Sequence, residues 1–137
     1  MIDPLISVGE LIALQETDNN ALLVLDCSWH LPTSNRDAAS EFSNACIDGA
    51  RFFDIDAISD PDSTLPHMLP SASLFENKVR KLGVTADTHI VVYDTSGLFS
   101  AARVWWMFRV FGHDKVQVLD GGMPAWQDAG GRLAKGI

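Results

Sequence analysis

The stretch "THIVVYDTSGLFSAARVWWMFRVFGH", residues 88–113, decides the fold. His89–Tyr93 is a short apolar run rich in β-branched residues, which predicts a strand. An apolar helix is expected from about Ser100 to Phe111, stopped by Gly112. Between them lies the loop "DTSGLF", residues 94–99. In an open α/β sheet, the crevice beyond the carboxyl end of a strand is where ligands and nucleophiles usually sit. The loop begins with Asp94, where a sulfur or oxygen nucleophile would be expected.

Working outward, the same alternation recurs. "SVGE", residues 7–10, has the form of a capping box and should open a helix reaching about Glu16. "ALLVLDCSW", residues 21–29, reads as a buried strand, and "RDAASEFSNA", residues 36–45, as a second helix. "ARFFDIDAI", residues 50–58, predicts a short strand followed by the turn-rich "SDPDSTLPHMLPS". Ser71 or Ser73 can cap a helix through Leu74, Val79 and Leu82 that Gly83 ends. A strand in "KVQVLD" and a short helix in "PAWQDAG" follow, and the closing "GGRLAKGI" carries no expected element. Strands alternating with helices imply an α/β fold with a mainly parallel sheet covered on both faces.

Composition bounds the function. A chain of 137 residues with 47% hydrophobic and 20% charged residues suits one globular domain. A net charge of −8 argues against a nucleic-acid backbone as partner, and against anionic lipid. Cys27 and Cys46 form neither a C-x-x-C pair nor a disulfide framework, and no ligand spacing calls for a metal. The N-terminus lacks the pattern of a signal peptide and no run is long enough to span a bilayer. A soluble, reducing compartment, the cytoplasm, is the expectation.

If the helix starts near Ser100, the free amides of its first turn, with Gly97, form an anion cradle. A thiolate at position 94 would sit over that cradle with a lowered pKa. Asp94 instead places a carboxylate there, accepting the same amides as a cap of its own loop. An aspartyl nucleophile of the haloacid-dehalogenase type needs a second Asp two residues on, where Ser96 stands. Aspartic proteases share a "DTSG" but use it in a β-rich setting.

Other groups carry weaker signals. Arg103 falls in the first turn of its helix, where the macrodipole disfavours a cation, so Asp94 or an anionic substrate should compensate it. Cys27, with His30 three residues on, has the makings of a nucleophile and base, although a buried thiol at a strand end is the commoner arrangement. Cys46 and Arg51 in "CIDGAR" miss the spacing of a tyrosine-phosphatase loop by one residue. Asp56 and His67 flank a Pro-rich loop; an Asp accepting Nδ1–H would leave the His Nε2 to exchange protons, against the alternative of a turn aspartate and a locally packed histidine.

These motifs also carry a resemblance. "RVWWMFRVFGH" followed by "VQVLDGGMPAWQDAGG" resembles the second half of a rhodanese domain. With "VLDCSWHLP", "DGARFFDIDAISD" and "LPHMLPSASLFENKVRKLGV", it covers nearly all of residues 4–133. The chain is most similar to the N-terminal domain of two-domain thiosulfate and 3-mercaptopyruvate sulfurtransferases. It departs at "FSNACIDGA", with Cys46 for the usual His and Asp48 for Pro, and at Met123 and Ala125 in the second signature.

The resemblance implies a rhodanese-like sheet and one domain over 1–137, the first of two. It implies that the persulfide cysteine belongs to the C-terminal domain, and that Asp94 marks its vacant position here. It assigns Asp56 and His67 as an auxiliary pair facing the catalytic loop, and Arg103 as a contact to an anionic donor or to the interface. It implies no cofactor; the partners are the companion domain and a small sulfur donor, with "HMLP" favouring 3-mercaptopyruvate. The alternative is a stand-alone rhodanese-like binding module. An apolar patch of Trp105, Trp106 and Phe108 is expected at the surface without the companion.

Overall fold

The computed structural model describes residues 3–17, 21–30, 32–60, 62, 68–95 and 99–136. Five parallel strands form the central sheet: β1 (Leu5–Ile6), β2 (Leu22–Asp26), β4 (Arg51–Phe52), β5 (His89–Tyr93) and β6 (Val116–Leu119). Their spatial order is β1-β6-β5-β2-β4. Two further short strands, β3 (Cys46–Ile47) and β7 (Leu133–Ala134), pair antiparallel beside it. The helices are α1 (Val8–Glu16), α2 (Ala38–Asn44), α3 (Ala72–Lys81), α4 (Phe99–Val110) and α5 (Gly122–Asp128), with a 3-10 turn at Pro32–Ser34.

Local chemistry sets the helix starts. Ser7 Oγ accepts the Glu10 N–H at 3.1 Å while Glu10 Oε1 accepts the Ser7 N–H at 3.3 Å, completing the capping box. Asp37 caps α2 through the Ser40 amide, and Ser71 caps α3 through that of Leu74. Gly83 ends the α3 turn at φ +102°, a conformation that disfavours side chains with a Cβ.

Side-chain alternation on the strands divides the interior in two. Leu25, Ile90 and Val92 pack with Phe75, Val79, Val104 and Phe108 of α3 and α4. Val24, Val91 and Tyr93 face the opposite way, onto Leu11, Phe42, Met123 and Trp126 of α1, α2 and α5. The sheet is therefore covered on both faces, as the alternation of elements requires.

Four expectations are corrected. The strand expected over 50–58 is two residues long, because Asp54 Oδ1 accepts the Asp56 and Ala57 amides and turns the chain. The strand over 21–29 stops at Asp26, whose carboxylate accepts the Ser28 amide in the same manner. The closing segment does carry an element: β7 pairs with β3, and Gly136 N–H donates to Phe42 O at 3.2 Å. Finally, the apolar patch expected on α4 has a different membership. Phe108 is buried, whereas Trp106 and Val110 are 43% and 47% exposed, so the surface patch excludes Phe108.

Candidate active-site crevice

Strands β2 and β5 lie side by side in parallel, with Asp26 opposite Tyr93. The next helix after β2, α2, packs on one face of the sheet, and the helix after β5, α4, packs on the other. Adjacent strands whose connections leave to opposite faces open a crevice at their carboxyl ends. Asp94 stands at the lip of β5. On the other side of β2, Phe52 lies opposite Asp26 in β4, so the turn carrying Asp54 and Asp56 emerges from the same end of the sheet.

Asp94 is 1% exposed. Its Oδ2 accepts the Ala101 N–H at 2.8 Å and the Ser100 hydroxyl at 3.4 Å. Its carbonyl accepts the Met123 N–H at 3.0 Å, which ties the loop to α5. The carboxylate thus occupies the Ala101 amide in the first turn of α4, a donor that an anion or thiolate would otherwise take. Gly97, which the expected cradle includes, lies outside the described residues.

Beneath the loop is a buried polar network. Asp26, 1% exposed, accepts the Ser28 N–H at 2.9 Å and the Ser28 hydroxyl at 2.6 Å, both on Oδ1. The Tyr93 phenol lies beside the Asp26 carboxylate, and its oxygen accepts the Ile47 N–H at 3.2 Å. Ser28 Oγ in turn accepts the Thr95 N–H at 3.0 Å. Burial pushes the Asp26 carboxyl above its ordinary value, against the lowering by its Ser28 bonds and the nearby Tyr93 phenol, with the negative charge of Asp94 adding a smaller upward push. Burial likewise holds the Tyr93 phenol far above its usual range, with Asp26 adding to it.

Neither cysteine has the surroundings of a nucleophile. Cys27 is fully buried, its thiol pushed well up by desolvation and then by Asp26 and Asp94. Cys46 is 1% exposed and is shifted up by burial first. The Cys27–His30 pairing does not form. Cys27 Sγ donates to Leu25 O, while His30 Nε2 meets Glu41 Oε1 at 3.0 Å. Glu41 also takes a two-pronged bond from Arg36, 2.9 Å on each arm, and its carboxyl is lowered chiefly by that guanidinium.

Of the expected site residues, Asp56 is exposed at the turn after β4, and its backbone is fixed by Asp54 and by the Ser59 hydroxyl. His67 lies outside the described residues. Arg103 is half-buried, and its guanidinium stacks 5.2 Å from the centre of the Trp106 ring. Trp106 is a partner for that cation which the sequence reading did not foresee. The reading also missed Asp26, Ser28 and Tyr93. A charged residue closing the apolar run "LLVLD" was their one visible signal. Among the described residues no group of three or more His, Cys, Asp or Glu is placed to hold a metal, and no helix is long and apolar enough to cross a membrane.

The chain is thus a parallel α/β domain with a carboxylate and no cysteine where its switch-point loop begins, as the rhodanese resemblance implies. Comparison with known proteins agrees: residues 7–129 match the Rhodanese-like domain, and the chain belongs to that family. It is 50% identical over 129 residues to thiosulfate/3-mercaptopyruvate sulfurtransferase 1, mitochondrial, of Arabidopsis thaliana, covering 93% of this chain and 33% of that protein. It is 46% identical over 114 residues to the 3-mercaptopyruvate sulfurtransferase of Escherichia coli K12, covering 82% of this chain and 41% of that one. The crystal structure of SseA from Escherichia coli, a 3-mercaptopyruvate sulfotransferase of rhodanese fold, superposes with a TM-score of 0.88 at 38% identity, covering 99% of this chain and 54% of that chain. The chain therefore spans well under two thirds of the length of the relatives it matches.

Proposed function

We propose that this chain is the non-catalytic N-terminal domain of a sulfurtransferase that moves sulfur from 3-mercaptopyruvate, or thiosulfate, to a thiol or cyanide. The observation that carries the reading is the Asp94 carboxylate held on the Ala101 amide and the Ser100 hydroxyl in the first turn of α4. A carboxylate cannot store a transferable sulfur atom. The persulfide-forming cysteine then comes from a companion rhodanese domain, and this chain completes the pocket across the crevice.

The chemistry gives Asp56 and His67 their part. When a cysteine thiolate takes the sulfur of 3-mercaptopyruvate, the C–S bond breaks and the electron pair stays on carbon as the enolate of pyruvate. That carbon must gain a proton. Thiosulfate leaves as sulfite and needs none. An imidazole oriented by a carboxylate is suited to the first case alone. Asp56 lies at the crevice end of the sheet, which supports this role, and Arg103 supplies positive charge on α4 for the donor's anionic group or for the domain interface.

In a polypeptide carrying both domains, His67→Gln is expected to cut turnover of 3-mercaptopyruvate by about 10²-fold or more, as loss of a general acid does. Thiosulfate turnover should change far less. Equal losses with both donors, or none with either, would remove His67 from the proton step.

A further inference from the structure

We propose that Asp26 and Ser28 form a positioning pair for the crevice loop, in which the Ser28 hydroxyl carries the protonation state of the Asp26 carboxylate to the backbone at Thr95. The inference rests on the proposed sulfur-transfer role only for the purpose of the crevice. Its geometry and its test belong to this chain alone.

A serine hydroxyl has one proton to give and lone pairs to accept with. Ser28 gives its proton to Asp26 Oδ1 at 2.6 Å and accepts the Thr95 N–H at 3.0 Å. The Ser28 amide donates to the same carboxylate oxygen at 2.9 Å, so the serine is held at two points and its hydroxyl has one direction. The bond crosses from the end of β2 to the residue after Asp94, spanning the switch point between the two strands. A hydroxyl that donates to an anion is polarised into a better acceptor. When Asp26 takes up a proton, that polarisation falls and the Thr95 amide loses part of its hold.

The surroundings favour such a response. Asp26 is faced by Ser28 at its own strand end, by Tyr93 and Asp94 from β5, by Cys46 from β3 and by Cys27 beside it. These neighbours are neutral or acidic. Burial keeps the phenol and both thiols in their neutral forms while the Asp26 carboxylate titrates. Buried among them, Asp26 holds a proton to higher pH than a solvated aspartate does. Asp94 is anchored separately, to Ala101 and Met123, so a change at Thr95 leaves those bonds in place.

The test is a titration of the nitrogen-15-labelled chain by NMR between about pH 3 and pH 8, a range that brackets any carboxyl raised from the aspartate value. The Ser28 and Thr95 amides should shift together with one midpoint. Asp26→Asn should abolish the transition at both. Ser28→Ala should abolish it at Thr95 while the amide of residue 28 still titrates, and Ser28→Thr should restore it at Thr95. A hydroxyl that merely filled space would leave Thr95 indifferent to Asp26. Titration of Thr95 that survives in Ser28→Ala would overturn the proposal. So would different midpoints for the two amides in the unaltered chain, which decides the matter even if a variant does not fold.

Discussion

Asp26 is a carboxylate raised by burial, and the sign of its effect on stability follows. Below its unfolded value of 3.8 both states hold the proton and the group contributes no difference. As pH rises from there towards the higher folded value, the unfolded chain ionises first, so stability falls across that window and stays lowered above it. Asp26→Asn should remove this slope, leaving the variant's stability relative to the unaltered chain higher at neutral pH than near pH 4, as read by urea unfolding at several pH values. Glu41 acts in the opposite sense. Its carboxyl is lowered by Arg36, so the stability it supplies is present above 4.5 and is lost as pH falls through the folded value. Cys27 and Cys46, both buried with raised thiols, should resist iodoacetamide in the folded chain and react once it is denatured. Much at this scale was legible in advance. The carboxylate at Asp94 could be read from a loop and a helix start that are adjacent in sequence. The Asp26–Ser28–Thr95 bond joins groups 67 residues apart, and no local pattern marks it. Trp106 is only three residues from Arg103, yet the macrodipole at that turn calls for an anion and gives no sign of a ring.

Helices were legible because their periodicity and caps are local. Ser7, Ser71 and Gly83 each stand where the helix ends require. The two-residue strands β1, β3 and β7 were not, since nothing in so short a run distinguishes a strand from a loop until its partner is known. The tail shows what such pairing does. A Cβ on Gly131 would lie 2.2 Å from the Trp126 ring, and one on Gly136 would lie 2.3 Å from the Phe42 ring. The bare backbone of the last segment is therefore laid directly on two aromatic side chains of the core. Gly131→Ala should cost roughly 1–3 kcal/mol, the penalty of overpacking a filled site. Gly9 in α1 provides the contrast, because a Cβ there meets nothing within 4 Å. Gly9→Ala should stabilise by roughly 0.4–1 kcal/mol through the unfolded chain. Urea unfolding of both variants checks the pair, and equal effects of one sign would contradict the packing described for the tail.

At the scale of the molecule, a five-stranded parallel sheet brings one end of β2, β4 and β5 together at the switch point, with the Asp94 carboxylate on the Ala101 amide of α4. The alternation of strands and helices made the class of fold readable. Strand order was not, because it depends on crossovers that no single segment specifies. The central claim is that this chain shapes a sulfur-transfer site without performing the transfer. Its most direct test is thiocyanate formation by residues 1–137 alone, with 3-mercaptopyruvate or thiosulfate as donor and cyanide as acceptor. The account predicts no turnover above the uncatalysed reaction with either donor. Turnover that disappears in Cys27→Ser or Cys46→Ser would contradict it, since a cysteine within this domain would then be carrying the sulfur.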